Sequence, residues 1–267
     1  MIRPHQPHIN NIRSVRGLLI TIKTVNRLSA KKEESVDRNT LVLSENFLNL
    51  IQGEDLSEPL SLYIHIPFCK TICPFCNFNV YPSSSADYDG LVSFLLHELR
   101  IKSALFANKN LVSVHFGGGT PSLLPVNLLK KILDRIEELF LVESDCEIAI
   151  EINPYDDEVD EPIMFKDLGI SRLSIGIQSF NNKKLKILGR SSTKKSNLDF
   201  ISKISNCEFT NISFDFIFGV DKESLKEWEQ ELSYLKELNV QHVSTYCLTI
   251  EESTPFWKMR NRGDISE

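Results

Sequence analysis

The sequence predicts an α/β fold, an incomplete parallel barrel of six strand–helix units, on two observations. Short β-rich runs recur at 61–66, 111–116, 146–152, 172–177, 211–217 and 242–248, and helical periodicity fills the gaps between them. Alternating strands and helices with such connections imply right-handed crossovers and a parallel sheet. Each run also divides into a bulky apolar face and a small or polar one, because side chains alternate along a strand. A closed barrel would fill its lumen with branched apolar residues. A polar inner face instead predicts an open cavity, and a solvent-exposed sheet face is the simpler alternative. A chain of 267 residues with 42% hydrophobic and 25% charged side chains can bury the core of one such domain.

In chain order, residues 1–32 come first. They carry Arg3, Arg13, Arg16, Lys23, Arg27, Lys31 and Lys32 and no acid, leaving 23 basic against 36 acidic side chains in the rest. Ile12, Val15, Leu18, Leu19, Ile22 and Val25 recur at helical spacing. A basic, acid-free, amphipathic start has the pattern of an organellar transit peptide, hence an expected mitochondrial address, with the cytoplasm as the alternative. A basic tail is the other reading. Residues 33–59 read as a polar linker, and 60–267 as the folded core. The net charge of −6 does not suggest nucleic-acid binding, and no apolar run approaches the ~20 residues of a membrane span.

The first strand separates Leu62, Ile64 and Ile66 from Tyr63 and His65, and opens directly into Cys69-Lys-Thr-Ile-Cys73-Pro-Phe-Cys76. Three thiolates on one short loop are soft ligands for an iron–sulfur cluster or zinc. Zinc in a closed site would need a fourth, distant ligand such as His65 or His97. Three cysteines on a four-iron cubane would leave one iron open. A disulfide framework does not fit six cysteines with a crowded triplet. Cys146, Cys207 and Cys247 stand alone among apolar neighbours and are expected to be buried thiols.

Leu91, Leu95 and Leu99, then Ala104 and Leu105, form the first helical stripe. The second strand sets Val112, Val114 and Phe116 against Ser113 and His115, and runs into Gly117-Gly-Gly-Thr120, where Pro121 can open a helical turn. Glycines admit close backbone approach. No Lys-Ser/Thr follows, which disfavours a nucleotide phosphate loop. Leu128, Leu129, Ile132, Ile136 and Leu139 form the next stripe.

The third strand sets Ile148, Ile150 and Ile152 against Glu147, Ala149 and Glu151, and the fourth sets Leu173, Ile175 and Ile177 against Ser174, Gly176 and Gln178. The fifth sets Phe214 and Phe216 against Ser213 and Asp215. Leu225, Trp228, Leu232, Leu235 and Leu238 mark the helix after it, and the last strand sets Val243, Thr245 and Cys247 against His242, Ser244 and Tyr246. Polar residues therefore gather toward the C-terminal strand ends, where barrels place ligands. Glu151 faces inward by parity, unlike the acidic stretch Asp156–Glu161 that follows it. Arg190 could equally be a surface charge. His65 and His115 share the polar face and are more often structural than functional; near a cluster either could move a proton or meet a carboxylate.

The words around these residues carry a family resemblance. Tyr63-Ile-His-Ile-Pro-Phe-Cys69, Cys76-Asn-Phe-Asn, Gly117-Gly-Gly-Thr-Pro-Ser122, Glu151-Ile-Asn-Pro154, Ser174-Ile-Gly-Ile-Gln-Ser-Phe180, Leu188-Gly-Arg190 and Asp215-Phe-Ile-Phe-Gly219 occur in order. Together they resemble the radical S-adenosylmethionine (SAM) proteins, in the branch of the oxygen-independent coproporphyrinogen III oxidases and HemW-type heme chaperones. The resemblance runs from about Leu60 to the end of the chain. It implies a six-unit partial barrel of the radical SAM type. It implies a 4Fe–4S cluster on Cys69, Cys73 and Cys76, with SAM occupying the open iron. It carries SAM contacts onto Tyr63, Phe75, Gly118, Gly119, Thr120, Glu151, Gln178, Arg190 and Asp215. The chemistry implied is one-electron reductive cleavage of SAM to methionine and a 5′-deoxyadenosyl radical.

Two departures refine that expectation. The oxidases carry a further cysteine two places after the third, where this chain has Phe78. The reading that follows is a heme chaperone that binds heme, accepts an electron from a donor protein and passes heme to an acceptor protein. Coproporphyrinogen oxidation is the alternative, and a remnant that binds only cluster and SAM is a third reading. Cys76-Asn-Phe-Asn also resembles the mitochondrial radical SAM domain-containing homologues of animals. The family continues past the sixth strand with a C-terminal domain holding a His-Asn-x-x-Tyr-Trp element associated with heme. Neither is expected here, so heme transfer by these 267 residues is expected to be impaired.

Overall fold

A computed structural model of the chain describes residues 17–20 and 59–266, apart from 105, 107, 108, 155–161, 208 and 239. Seven strands build the sheet: a short edge strand at Gly17–Ile20, then β1 (Leu60–Ile66), β2 (Asn110–Gly118), β3 (Leu141–Ile152), β4 (Arg172–Gln178), β5 (Ile212–Phe218) and β6 (His242–Cys247). The helices are α1 (Tyr88–Ser103), α2 (Val126–Leu139), α3 (Ile163–Asp167), α4 (Asn182–Ile187), α5 (Lys194–Ser205), α6 (Leu225–Glu237) and α7 (Pro255–Asn261). All neighbouring strands are parallel, and they lie side by side in sequence order. A doubly wound sheet reverses strand order at a switch point. This one never does, so its crossovers wind in one sense, as in a barrel. The sheet is open, with β6 at one edge and a short strand, Gly17–Ile20, at the other.

The apolar strand faces and the helices form one continuous core. Leu62, Ile64, Val114, Phe116, Ile150, Ile152, Leu173, Ile175, Ile177, Phe214 and Phe216 are all buried in it. They meet Leu95 and Leu99 of α1, Leu129 and Ile132 of α2, and Phe200 and Ile204 of α5. Each fully buried aliphatic or aromatic side chain contributes about 1.5–3 kcal/mol.

Several expectations need correction. Helical spacing around Ile12–Val25 does not hold at Gly17–Ile20, where the chain is extended and pairs in parallel with Ser61–Ile64. An open sheet edge offers unpaired backbone groups, and a strand satisfies them where a helix cannot. The rest of 1–32, the linker to residue 58, Leu105 and the acidic residues 156–161 lie outside the described residues. In β2 the alternation slips: the register shifts between Leu111 and Ser113, so Leu111 is buried and Val112 only half-buried. In α6, Leu225 is 72% exposed and Leu232 is 42% exposed. The helix instead buries Leu235 and, against its charge, Glu231.

The isolated cysteines are not all buried either. Cys146 and Cys207 are half-buried, and Cys247 is exposed. Cys247 and Thr245 lie on the outer face of β6. The helix that follows does not cover that face: α7 docks on the cysteine loop, where Phe256 N donates to Pro74 O at 3.0 Å.

Glu231 is buried because it closes an ionic cluster. Lys184 Nζ donates to Glu231 Oε2 at 2.7 Å and to Glu223 Oε1 at 2.5 Å, and lies 5.1 Å from the Trp228 ring centroid. Glu231 Oε1 accepts from Phe180 N at 2.7 Å and from the Ser179 hydroxyl. Asn197 Nδ2 donates to the carbonyls of Ile177 and Ser179 from the other side. These bonds fix the turn that leaves β4. Removing one partner of a buried ion pair costs about 3–5 kcal/mol when the other is left uncompensated. Lys184 keeps Glu223, so Glu231→Ala is expected to lose about 3 kcal/mol of unfolding free energy in urea titrations. Glu231→Gln, which keeps acceptors for Ser179 and Phe180, is expected to lose less.

Candidate functional site

The polar faces of β1–β5 bring residues from distant parts of the chain together at the C-terminal strand ends. Tyr63 and His115 are register partners, and their rings stack with centroids 5.6 Å apart and planes at 12°. His115 Nε2 lies 3.0 Å from Glu151 Oε1. Glu151 Oε2 accepts from Gly118 N at 3.1 Å. One carboxylate thus ties β3 to both the second strand and the glycine loop. A Cβ at position 117 would lie 2.8 Å from Glu151 Oε1 and 2.9 Å from the Tyr63 ring, so a larger residue there would displace these side chains.

Farther round the sheet, Asp215 Oδ2 accepts from Ser174 Oγ at 3.1 Å. Burial, and next the charge of Glu151, push the Asp215 carboxyl up to about 6, against the opposing pull of the Ser174 and Ser244 hydroxyls. The same two causes, burial and then Glu151, push the Tyr63 phenol well above its ordinary value. Two carboxylates that sense each other on a partly desolvated face suit a ligand with a positive charge or hydroxyl donors.

Gln178 reaches this face through a bulge. Ile175 pairs with Phe214 and Gln178 with Phe216, so three residues of β4 span two of β5. Gln178 takes a left-handed backbone, φ 65°, which a side chain adopts only when its surroundings hold it there. The Glu231 and Asn197 bonds to the next residue supply that hold. A Cβ on Gly176 would come within 2.8 Å of the Gln178 amide nitrogen and 2.9 Å of Asn153 Oδ1, so the amide lies over the polar face beside Asn153.

The cysteine loop sits beside this face. Gly119 N donates to Ile66 O and Thr120 N to Phe68 O, each at 2.8 Å, lacing the glycine loop to the start of the cysteine loop. A Cβ on Gly119 would lie 2.7 Å from Phe68 O, which excludes any larger residue. Cys76 N donates to Cys73 O at 3.0 Å, turning the second and third cysteines together. Cys73 is buried, while Cys69 and Cys76 are half-buried. Burial is the first cause raising the Cys76 thiol, and the nearby Cys73 adds to it. Phe75 packs 6.3 Å from the Phe256 ring, beside an apolar patch of Leu188, Ile217 and Val220. His65 Nε2 lies 2.9 Å from Asn79 O and its Nδ1 3.3 Å from the Tyr63 hydroxyl, so it links the first strand to the end of the loop.

Polar groups from outside the loop donate to two of its sulfurs. Thr120 Oγ1 lies 3.5 Å from Cys69 Sγ, and Arg190 Nη1 lies 3.7 Å from Cys73 Sγ. Arg190 is half-buried and is not a surface charge; its Nη2 donates to Asn153 Oδ1 at 2.6 Å and to Gly176 O at 2.8 Å. Among the described residues no three His, Cys, Asp or Glu side chains converge as on a single metal ion. A cubane instead takes its thiolates on separate iron corners, and donors aimed at sulfur suit thiolates that must carry charge.

Sequence reasoning passed over three members of this arrangement. Asn153 stands in a quoted motif, but strand parity gives no reason to select it. Ser174 is an ordinary small residue until Asp215 is placed beside it. Phe256 has no sequence signal at all. A separate cavity of about 250 Å³, lined by residues including Phe180, Lys194, Gln230 and Tyr234, lies away from the cysteines.

This geometry coincides with a family. The model of the Radical SAM superfamily matches residues 63–235, more than half of the chain, and the chain belongs to that superfamily. It is 34% identical over 206 residues to "Heme chaperone HemW" of Bacillus subtilis, covering 77% of this chain and 54% of that protein. With the Escherichia coli protein of the same name it is 36% identical over 199 residues, covering 74% and 53%. With "Radical S-adenosyl methionine domain-containing protein 1, mitochondrial" of Dictyostelium discoideum it is 34% identical over 239 residues, covering 81% and 52%. The chain therefore spans about half the length of the curated relatives it matches. Among solved structures, coproporphyrinogen III oxidase (HemN) from Escherichia coli, a radical SAM enzyme, superposes with a TM-score of 0.75 at 27% identity, covering 84% of this chain and 52% of that one.

The raised Asp215 carboxyl makes a directional prediction. Its folded value, about 6, lies above the unfolded value of about 3.9. The folded form therefore holds its proton more tightly, and stability falls as pH rises from about 4 through 6. In the SAM-free protein, Asp215→Asn is expected to raise the melting temperature at pH 7 relative to the parent, with the gain vanishing below about pH 4. Glu151→Gln should move the Asp215 midpoint downward in a carbon-13 carboxyl titration.

Proposed function

We propose that this chain is the radical SAM core of a HemW-type heme chaperone. Cys69, Cys73 and Cys76 hold the 4Fe–4S cluster that superfamily membership implies. Tyr63, Phe75, Gly118, Gly119, Thr120, Glu151, Gln178, Arg190 and Asp215 hold SAM. The observation that carries the cofactor reading is the three-thiolate loop with donors on Cys69 and Cys73, laced to a glycine loop beside a carboxylate-lined strand face.

When bound, the reduced cluster supplies the electron that cleaves the sulfonium of SAM. The chain's own residues do the rest. Gly119 lets the backbone approach the loop closely. Glu151 and Asp215 offer carboxylates to ammonium or hydroxyl groups, and the Gln178 amide offers both a donor and an acceptor. Phe75 provides an apolar wall, and the core beneath it excludes water.

The chaperone assignment rests on the relatives named above and on Phe78. That side chain is 66% exposed and contributes no sulfur to the loop. On this reading heme would be received and passed to an acceptor protein, with an electron-donor protein as a second partner. The name of the Dictyostelium relative favours a mitochondrial location. Among the described residues no helix is long and apolar enough to cross a membrane. The likeness to the coproporphyrinogen III oxidase structure favours one second reading, an oxidoreductase acting on a porphyrinogen.

Anaerobic reconstitution is expected to give about four irons per chain, and Ala at Cys69, Cys73 or Cys76 to abolish the cluster. Stoichiometric zinc with no iron uptake would contradict the reading. Incubation with coproporphyrinogen III, SAM and a strong reductant is expected to give no decarboxylated product by chromatography; multiple turnovers would restore the oxidase. Heme titration of a form extended to the relatives' length is expected to show tighter binding than this chain. Tight stoichiometric binding by the short chain would move the heme site into the barrel, beside His65 and His115.

A further inference from the structure

Asn153 stands one residue past β3, half-buried, and its side-chain amide is bonded at both ends. Its Nδ2 donates to Thr120 Oγ1 at 2.7 Å. Its Oδ1 accepts from Arg190 Nη2 at 2.6 Å. The same Thr120 hydroxyl donates to Cys69 Sγ, and the other terminal nitrogen of Arg190, Nη1, donates to Cys73 Sγ. A hydroxyl has one hydrogen and two lone pairs. When Asn153 donates to the Thr120 oxygen, the hydroxyl hydrogen is left to point at Cys69 Sγ. When Asn153 accepts from one guanidinium nitrogen, the planar fork is fixed with its other nitrogen toward Cys73 Sγ. The space for this is reserved: a Cβ on Gly176 would lie 2.9 Å from Asn153 Oδ1.

We propose that Asn153 is a positioning residue that aims two hydrogen-bond donors at the thiolates of Cys69 and Cys73 and thereby raises the reduction potential of the cluster. This rests on the reading of the three cysteines as cluster ligands. Hydrogen bonds to cluster sulfurs set potential, because they stabilise the more negative, reduced state. The amide is suited to the task because it donates on one side and accepts on the other. A carboxylate accepts on both sides. Asp at 153 would still hold Arg190, but it would draw the Thr120 hydroxyl hydrogen to itself and away from Cys69 Sγ.

The test is an EPR-monitored redox titration of reconstituted protein without SAM, for the parent, Asn153→Ala, Asn153→Asp and Thr120→Val, each with iron and sulfide content measured. All four are expected to bind the cluster. Asn153→Ala should shift the midpoint to more negative potential, and Asn153→Asp should shift it further, because it reverses one hydrogen bond and adds a negative charge. Thr120→Val should give part of the Asn153→Ala shift, and combining the two should add less than their sum. A purely structural Asn153 would change cluster yield or melting temperature and leave the midpoint in place. Unchanged midpoints in Asn153 variants with full cluster content would overturn this proposal alone. Failure of the parent to take up iron would overturn the cluster reading, and this proposal with it.

Discussion

Because a strand sends successive side chains to opposite faces, a parallel sheet covered by helices on one side has one buried and one available face. Everything at the candidate site depends on that constraint. Ile150 and Glu151 are neighbours in sequence, yet one is fully buried among the helices and the other bonds His115 and Gly118. Phe214, Phe216 and Asp215 divide in the same way. A register slip of one residue would exchange the core and the site together. The strong apolar faces of β1 to β5 therefore do two things: they stabilise the sheet and they aim the polar residues.

Irregular backbone completes what alternation cannot. The bulge at Gln178 brings an amide over the polar face, and its left-handed backbone is held by the buried Glu231 and by Asn197. Gly119 lets the loop after β2 lie against the loop after β1. The cysteine loop is gripped from the far side by Phe256 and by the Leu188–Arg190 turn. A Cβ on Gly119 would press on backbone, so this arrangement tolerates no enlargement there.

Much of this was legible in the sequence, and the reasons are physical. Period-2 alternation in runs of five to seven residues is a strong signal when helices cover one face, and it located Tyr63, Glu151 and Asp215 on the site face. The cysteine spacing and the order of the motifs named the superfamily. Local spacing misled where tertiary contacts decide. Gly17–Ile20 is recruited as an edge strand. Leu225 and Leu232 are left in solvent because α6 turns Glu231 inward to Lys184. Cys247 is exposed because α7 packs on the cysteine loop. Asn153 was not recognisable as a member of the site, since its two partners lie 33 and 37 residues away.

On the proposed function, three thiolates hold a cluster with one open iron at the end of the polar strand face, and SAM takes that iron. The most direct measurement is pulsed electron–nuclear double resonance on the reduced protein with SAM carrying nitrogen-15 in its methionine amino group. A nitrogen-15 coupling to the cluster and a changed EPR spectrum are expected on SAM addition. An unchanged spectrum with no coupling, in protein that holds its full complement of iron, would contradict that assignment.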